Sequence, residues 1–173
     1  FFDIPVDELW AYRVFVPHIQ KAVEEPFCVL SPDVGGAKMV RAYSKRLECD
    51  FALVDKRRIS GTQTVSYHLI GDVRGKHVVM IDDIIATGGT VADAARIARE
   101  NGALSVGICA THGIFAGNAV ERLNASPVDW VAVTNTVPPR VESPKIRYLS
   151  VAELLGEAVK RIHEDRSVSE LFE

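Results

Sequence analysis

The sequence predicts an α/β domain of three layers, with a central, mostly parallel sheet between helices, and three observations carry that prediction. Short apolar runs of strand composition alternate with helix-patterned runs along the chain. The most apolar of them, Val78 to Ile81, passes into Asp82-Asp83 and then Thr87-Gly88-Gly89-Thr90, after which Val91, Ala94, Ala95 and Ala98 keep helical spacing. No repeat, low-complexity tract or internal linker divides the 173 residues.

The chain opens on Phe1-Phe2-Asp3-Ile4-Pro5-Val6-Asp7, with no initiator methionine. Two phenylalanines at a natural terminus would be unusual, so the expectation is the later part of a longer protein. Phe27 to Leu30 is a short buried strand ending in Ser31-Pro32-Asp33-Val34-Gly35-Gly36, and Ala37 to Leu47 is a helix with a basic outer face (Lys38, Arg41, Lys45, Arg46). Phe51 to Val54 is a second strand, followed by Asp55-Lys56-Arg57-Arg58. Val65 to Ile70 alternates like a strand at a sheet edge or hood. His77 to Ile81 is the central strand, with a polar loop expected at its carboxyl end. Gly102 takes the C′ position of the helix beyond that loop. Val106 to Ala110 leads to Thr111-His112-Gly113, Ala119 to Leu123 is a short helix, and Trp130 to Val133 and Ile146 to Leu149 complete the strands. Ser150 with Glu153 has the spacing of a capping box, starting a helix that runs to about His163.

Bulk properties exclude several classes. About half the residues are apolar (47%) and a quarter charged (25%), enough for one ordinary core. A net charge of −3 argues against a dedicated nucleic-acid surface. No apolar stretch reaches the roughly 20 residues of a membrane span, and no signal peptide is visible. Cys28, Cys49 and Cys109 are odd in number, widely spaced and set in apolar runs; they read as reduced thiols of a cytoplasmic protein.

The chemistry concentrates at three strand ends. Glycines at a helix N-terminus let backbone N–H groups approach an anion, the helix dipole favours negative charge there, and Thr87 and Thr90 add hydroxyl donors. Asp82 and Asp83 repel the same anion and therefore face sugar hydroxyls or a divalent cation. A ligand with phosphate at one end and hydroxyls at the other, such as ribose 5-phosphate, meets both demands. A generic strand-turn-helix would explain Gly-Gly-Thr alone, but not the acidic pair. Gly35 and Gly36 can form a second anion nest. Beside it, Asp33 is either an Asx-type turn that starts a helix or a carboxylate bridged to phosphate by Mg²⁺. Lys56-Arg57-Arg58 is by itself a solvated charge run; next to two anion loops it can supply cations to a transferring phosphoryl group. His112 ends a strand on the ligand side and is a candidate for lining the site, whereas His18, His68, His77 and His163 read as surface or packing residues.

Val78 to Thr90 resembles the signature segment of the type I phosphoribosyltransferase superfamily. The wider series Phe-Phe-Asp-Ile-Pro-Val-Asp, Ser-Pro-Asp-Val-Gly-Gly, Asp-Lys-Arg-Arg, Asp-Asp-Ile-Ile-Ala-Thr-Gly-Gly-Thr, Thr-His-Gly-Ile-Phe and Ser-Val-Ser-Glu-Leu-Phe is similar to the C-terminal half of the ribose-phosphate pyrophosphokinases. That resemblance implies a type I phosphoribosyltransferase-like fold in a single domain over residues 1–173, with an N-terminal half of a two-domain enzyme absent. It implies transfer of the diphosphoryl group of ATP to ribose 5-phosphate, with Mg²⁺, in a cytoplasmic homo-oligomer that in the family is a hexamer of dimers. By position, Lys56 and Arg58 match the family's catalytic cations. Arg58, Asp82, Asp83, Ala86, Thr87, Gly88, Gly89 and Thr90 match the ribose-5-phosphate site. Asp33, Gly35 and Gly36 match the diphosphate loop, with Asp33 its metal-associated carboxylate. Asp7 and Trp10 fall near a nucleotide or subunit contact, and Ser167, Ser169 and Phe172 match a tail resembling an allosteric site. Two positions depart from the family: Ser60 replaces a loop arginine, and Ala86 stands where many members carry aspartate. No Gly-x-x-x-x-Gly-Lys-Ser/Thr loop occurs, so the isolated chain is expected to lack activity. The alternatives are a phosphoribosyltransferase joining phosphoribose to a base, and a non-catalytic regulatory protein associated with the synthase.

Overall fold

A computed structural model describes residues 2–58 and 65–172; of Arg57, Arg58, Val65 and Ser66 it describes the backbone only. Seven strands form one sheet: β1 Phe27–Ser31, β2 Asp50–Arg58, β3 Val65–Ile70, β4 His77–Ile85, β5 Ser105–Gly113, β6 Trp130–Thr134 and β7 Ile146–Leu149. Their spatial order is β3-β2-β1-β4-β5-β6-β7. Only the edge pair β2–β3 is antiparallel; every other pair is parallel. The helices are α1 Tyr12–Ala22, α2 Ala37–Leu47, α3 Gly89–Glu100, α4 Ala119–Ala125 and α5 Ala152–His163.

The period-2 alternation of the strands divides the core into two layers. On one face Cys28, Leu30, Ala52, Val54, Val78, Met80, Ile108 and Val131 pack under α3 and α4 through Val91, Ala94, Ala98, Ala119 and Leu123. On the other, Val29, Val79, Ile81, Cys109 and Ala132 pack under α1 and α2 through Phe15, Ile19, Val40, Tyr43 and Leu47. The three-layer expectation therefore holds. All three cysteines are free, Cys28 and Cys109 buried and Cys49 half-buried. Among the described residues, no helix is long and apolar enough to cross a membrane.

The boundaries differ from the sequence reading in instructive ways. β4 does not end at Ile81: it continues through Asp82 and Asp83 to Ile85, keeping its pairing with β5. The acidic pair is thus strand, not loop. The capping box does not form. Val151 is the N-cap of α5 with no side-chain cap, and the Ala152 N–H instead donates to Ser150 Oγ at 3.2 Å. The helix begins one residue later than a box requires, which leaves Glu153 at N2 instead of N3.

Gly107 on β5 is paired in register with Trp130 on β6, and a Cβ there would stand 2.1 Å from the indole ring. The same ring meets His18 of α1 edge-on at 5.7 Å, so it has no room to retreat. Gly156, inside α5, has open space where a Cβ would stand, with no atom within 4 Å. Gly107→Ala is expected to lower stability by about 1–3 kcal/mol through overpacking. Gly156→Ala is expected to raise it by about 0.5–1 kcal/mol through chain entropy and helix propensity. Urea unfolding of the two variants checks the pair, and a midpoint order opposite to this would refute the packing account.

Candidate functional site

Strand order decides where a ligand can sit. From β1 the chain crosses through α2 to β2 on one side; from β4 it crosses through α3 to β5 on the other, over the opposite face. The β1 and β4 carboxyl ends therefore part at a topological switch point, the usual ligand crevice of an open α/β sheet. A cavity of about 240 Å³ lies there, lined by Asp33 from the β1 loop and by Asp82 through Val91.

The β4–α3 loop is built from backbone. Gly88 is the N-cap of α3 at φ 71, a left-handed conformation that a side chain would strain. No side chain caps the helix, so its first-turn N–H groups lack intrahelical acceptors. The segment after β5 braces the loop from behind: the Ile114 N–H donates to the Ile85 carbonyl at 3.0 Å, and the Ala116 N–H to the Ala86 carbonyl at 2.8 Å. Arg122 of α4 donates to the Thr87 carbonyl at 2.5 Å, and its guanidinium lies within 3.6 Å of where a Cβ on Gly89 would stand. Thr87 and Thr90 are exposed at the loop surface. An uncapped helix start with an arginine beside it favours negative charge.

The carboxylates occupy the other wall. The Asp83 N–H donates to Asp82 Oδ1 at 2.9 Å. Burial pushes the Asp82 carboxyl up to about 7, with the charges of Asp83 and Asp33 adding to the rise and the Asp83 N–H opposing it. Among the described residues, no three His, Cys, Asp or Glu side chains are disposed to hold a metal by themselves.

In the β1 loop, Asp33 Oδ1 accepts from the N–H groups of Gly35 at 2.8 Å and Gly36 at 3.2 Å, and Ser31 Oγ donates to the Asp33 carbonyl at 2.6 Å. This is the Asx-type turn: the nest that glycines 35 and 36 offer is filled by the chain's own carboxylate. A Cβ on Gly36 would come within 2.3 Å of Ser31 Oγ, so a larger residue there would displace that hydroxyl from its bond to the Asp33 carbonyl.

Other sequence-selected residues stand apart. Lys56, near the end of β2, does not line the cavity; its ammonium is 3.9 Å from Asp93 Oδ2 on α3. The Arg58 side chain and Ser60 lie outside what is described. His112 pairs with Ile84 in the sheet and bonds Thr136 Oγ1 at 2.8 Å; it is not part of the cavity lining. Asp7 and Trp10 are exposed in the segment before α1. Ser167 and Ser169 bond each other at 3.0 Å in a tail that Arg13 and Arg161 hold by its carbonyls. A larger groove of about 820 Å³ runs between α1, α5 and this tail, but it shares no residue with the switch-point cavity. The residues that sequence reasoning missed are Arg122, Tyr67 and Asp93, each of which acts through a partner at least 26 positions away.

A family model for the phosphoribosyl synthetase-associated domain matches residues 50–173. Curated ribose-phosphate pyrophosphokinases are 43% identical over 175 residues in Gloeobacter violaceus and 44% identical over 178 residues in Hyphomonas neptunium, covering 99% and 100% of this chain and 53% and 57% of those proteins. The chain thus spans about half the length of the curated relatives it matches. Phosphoribosylpyrophosphate synthetase from Mycobacterium smegmatis superposes with a TM-score of 0.87 at 34% identity, over 95% of this chain and 54% of that one. An adenine phosphoribosyltransferase from Rhodothermus marinus, at 22% identity and a TM-score of 0.53 over 68% of this chain and 74% of that one, shares the fold.

The Asp82 shift makes stability depend on pH. A carboxyl at about 7 in the folded chain, against 3.8 as its ordinary value, binds more protons folded than unfolded. Its contribution is complete below the unfolded value and is lost as pH rises through the folded one. Asp82→Asn should therefore gain thermal stability relative to wild type between about pH 5 and about pH 8. A difference that stays constant across that window would refute the buried-carboxyl account.

Proposed function

This chain belongs to the phosphoribosyl synthetase-associated domain family, and from that premise we propose that it is the ribose-5-phosphate-holding half of a longer two-domain enzyme, a ribose-phosphate diphosphokinase. The whole protein transfers the β,γ-diphosphoryl group of ATP to the anomeric hydroxyl of ribose 5-phosphate, giving 5-phospho-α-D-ribosyl 1-diphosphate and AMP. It feeds nucleotide biosynthesis in the cytoplasm as a homo-oligomer. The observation that carries this reading is one cavity with two opposite chemistries: an uncapped helix start braced by Arg122, and a carboxylate pair one strand-end away.

The residues divide the work. Backbone N–H groups of the Ala86 to Thr90 loop, with the Thr87 and Thr90 hydroxyls, take the 5-phosphate. Asp82 and Asp83 accept from the ribose hydroxyls and fix the ring, which aligns the anomeric oxygen for in-line attack on the β-phosphorus. Lys56 and Arg58 neutralise charge on the transferring diphosphate. No covalent nucleophile is required. The carboxylate set suits Mg²⁺, which keeps several water ligands and takes one or two carboxylates plus substrate phosphates instead of an all-protein cage. Burial first, and the charges of Asp83 and Asp33 after it, drive Asp82 toward neutrality, and a nearby cation would oppose that rise. Mg²⁺ supplies charge neutralisation of the phosphates. For the β1-loop glycines to take a diphosphate, Asp33 must first give up their N–H groups.

The deciding experiment supplies the full-length protein with ATP and ribose 5-phosphate. AMP and the sugar diphosphate are the expected products, and Lys56→Ala should lower kcat at least about a hundredfold. Diphosphate release that depends on an added base would establish the phosphoribosyltransferase instead, and no turnover of either kind would establish a regulatory relative. Separately, Arg122→Ala should raise the KM for ribose 5-phosphate about tenfold while leaving that for ATP alone. Equal KM values for variant and wild type would remove Arg122 from the phosphate loop.

A further inference from the structure

Lys56 is not free at the sheet edge. It faces Tyr67 across the β2–β3 pair, with its ammonium 5.5 Å from the centroid of that ring. The Tyr67 hydroxyl donates to Asp93 Oδ2 at 2.5 Å. The same carboxylate oxygen lies 3.9 Å from Lys56 Nζ. Asp93 sits on the second turn of α3, the helix whose first turn lines the anion cavity. Strand, ring and helix thus converge on one oxygen.

We propose that Asp93, oriented by Tyr67, is a positioning residue for Lys56, fixing its ammonium against the helix that carries the phosphate loop. The inference rests on the reading of Lys56 as the cation that neutralises the transferred diphosphate. A lysine near the end of β2 samples many rotamers, and a carboxylate held in one place narrows them. The Tyr67 bond supplies that fixity, because a short O–H···O⁻ bond is charge-assisted and the hydroxyl has a single proton to give. Among the described residues, Arg96, three residues along α3 and 5.8 Å from the same ring, is a second cation near Asp93. Its guanidinium bonds Glu100 at 2.8 Å, and it reaches Asp93 through charge alone, without a hydrogen bond. Asp93 touches no substrate and acts through the lysine.

Two measurements test this. In the full-length enzyme, Asp93→Asn keeps the size and the acceptor for Tyr67 but loses the charge. It should lower kcat about tenfold, with the KM for ribose 5-phosphate within about twofold and the melting midpoint unchanged. Tyr67→Phe should lower kcat less, and Asp93→Glu should recover part of the loss. In the 173-residue chain, isotope-labelled reductive methylation of the lysines gives a signal for each, that of Lys56 identified by Lys56→Arg. Asp93→Asn and Tyr67→Phe should move the Lys56 signal and leave the other lysines in place. An unmoved Lys56 signal, an unchanged kcat, or a loss that follows the melting midpoint in Asp93→Glu as well would overturn the positioning role. If Lys56→Ala leaves kcat unaltered, the catalytic reading of Lys56 falls instead, and the methyl signal, which needs no turnover, still decides whether Asp93 holds it.

Discussion

Everything at the site depends on two neighbouring parallel strands that send their helices to opposite faces. Right-handed crossover leaves no alternative: a chain leaving β1 for β2 must pass over one face, and a chain leaving β4 for β5 over the other. No helix can then cover the carboxyl ends of both. The gap is filled by loops, and a loop over a gap must satisfy its own polar groups or offer them to a ligand. The β1 loop satisfies its own, through Asp33 Oδ1. The β4 loop does not, since α3 starts on a left-handed glycine with no cap. The asymmetry favours negative charge at the second loop, and on the proposed function the first is a turn that has to open.

The electrostatics follow from how far β4 reaches. Its continued pairing with β5 carries Asp82 and Asp83 out of the covered sheet without releasing the backbone. Asp82 is thereby held half-buried beside another carboxylate, and the cost of two charges in that place appears as a carboxyl driven to about 7. A loop could have turned the group to water. A paired strand cannot, so the raised Asp82 carboxyl follows from how far β4 stays paired. The uncapped loop and the acidic strand end meet in one cavity, and on that pairing the proposed ribose 5-phosphate role rests.

The parts of this arrangement that are local in sequence were legible there. The apolar run Val78 to Ile81 is buried on both faces and therefore continuous in the sequence, and α2 falls on Ala37–Leu47 as its spacing predicts. The glycines and threonines of the β4 loop carry their chemistry in their own backbone and hydroxyls, so the residue types alone point to the cavity they line. Where polarity and secondary structure disagree, the sequence misleads: Asp82 and Asp83 are polar and still strand, because pairing continues past the covered core. The capping box failed by one residue, since a boundary depends on where tertiary packing stops the preceding strand. Arg122, Tyr67 and Asp93 could not be singled out, because a charge or a hydroxyl on a helix or strand has no local mark of what it meets across the fold.

How firmly Lys56 is held bears on how it can serve a reaction. Its pair with Asp93 is long, at 3.9 Å, and the two side chains keep 35% and 42% of their surface in solvent. Such pairs contribute roughly 0–1 kcal/mol, little more than thermal energy. The Tyr67–Asp93 bond is of another kind, short and between an ionised acceptor and a hydroxyl that α3 and β3 bring together from 26 positions apart. The carboxylate is therefore the fixed partner and the ammonium the movable one. On the proposed role of Lys56, a diphosphate would present more negative charge than one carboxylate does and would draw the lysine away at little cost. What the aspartate would contribute is the starting point of that movement. A rigid clamp on Lys56 would oppose the transfer, and an unheld lysine would have to find the phosphates from every rotamer open to it. A weak pair to a strongly held carboxylate avoids both.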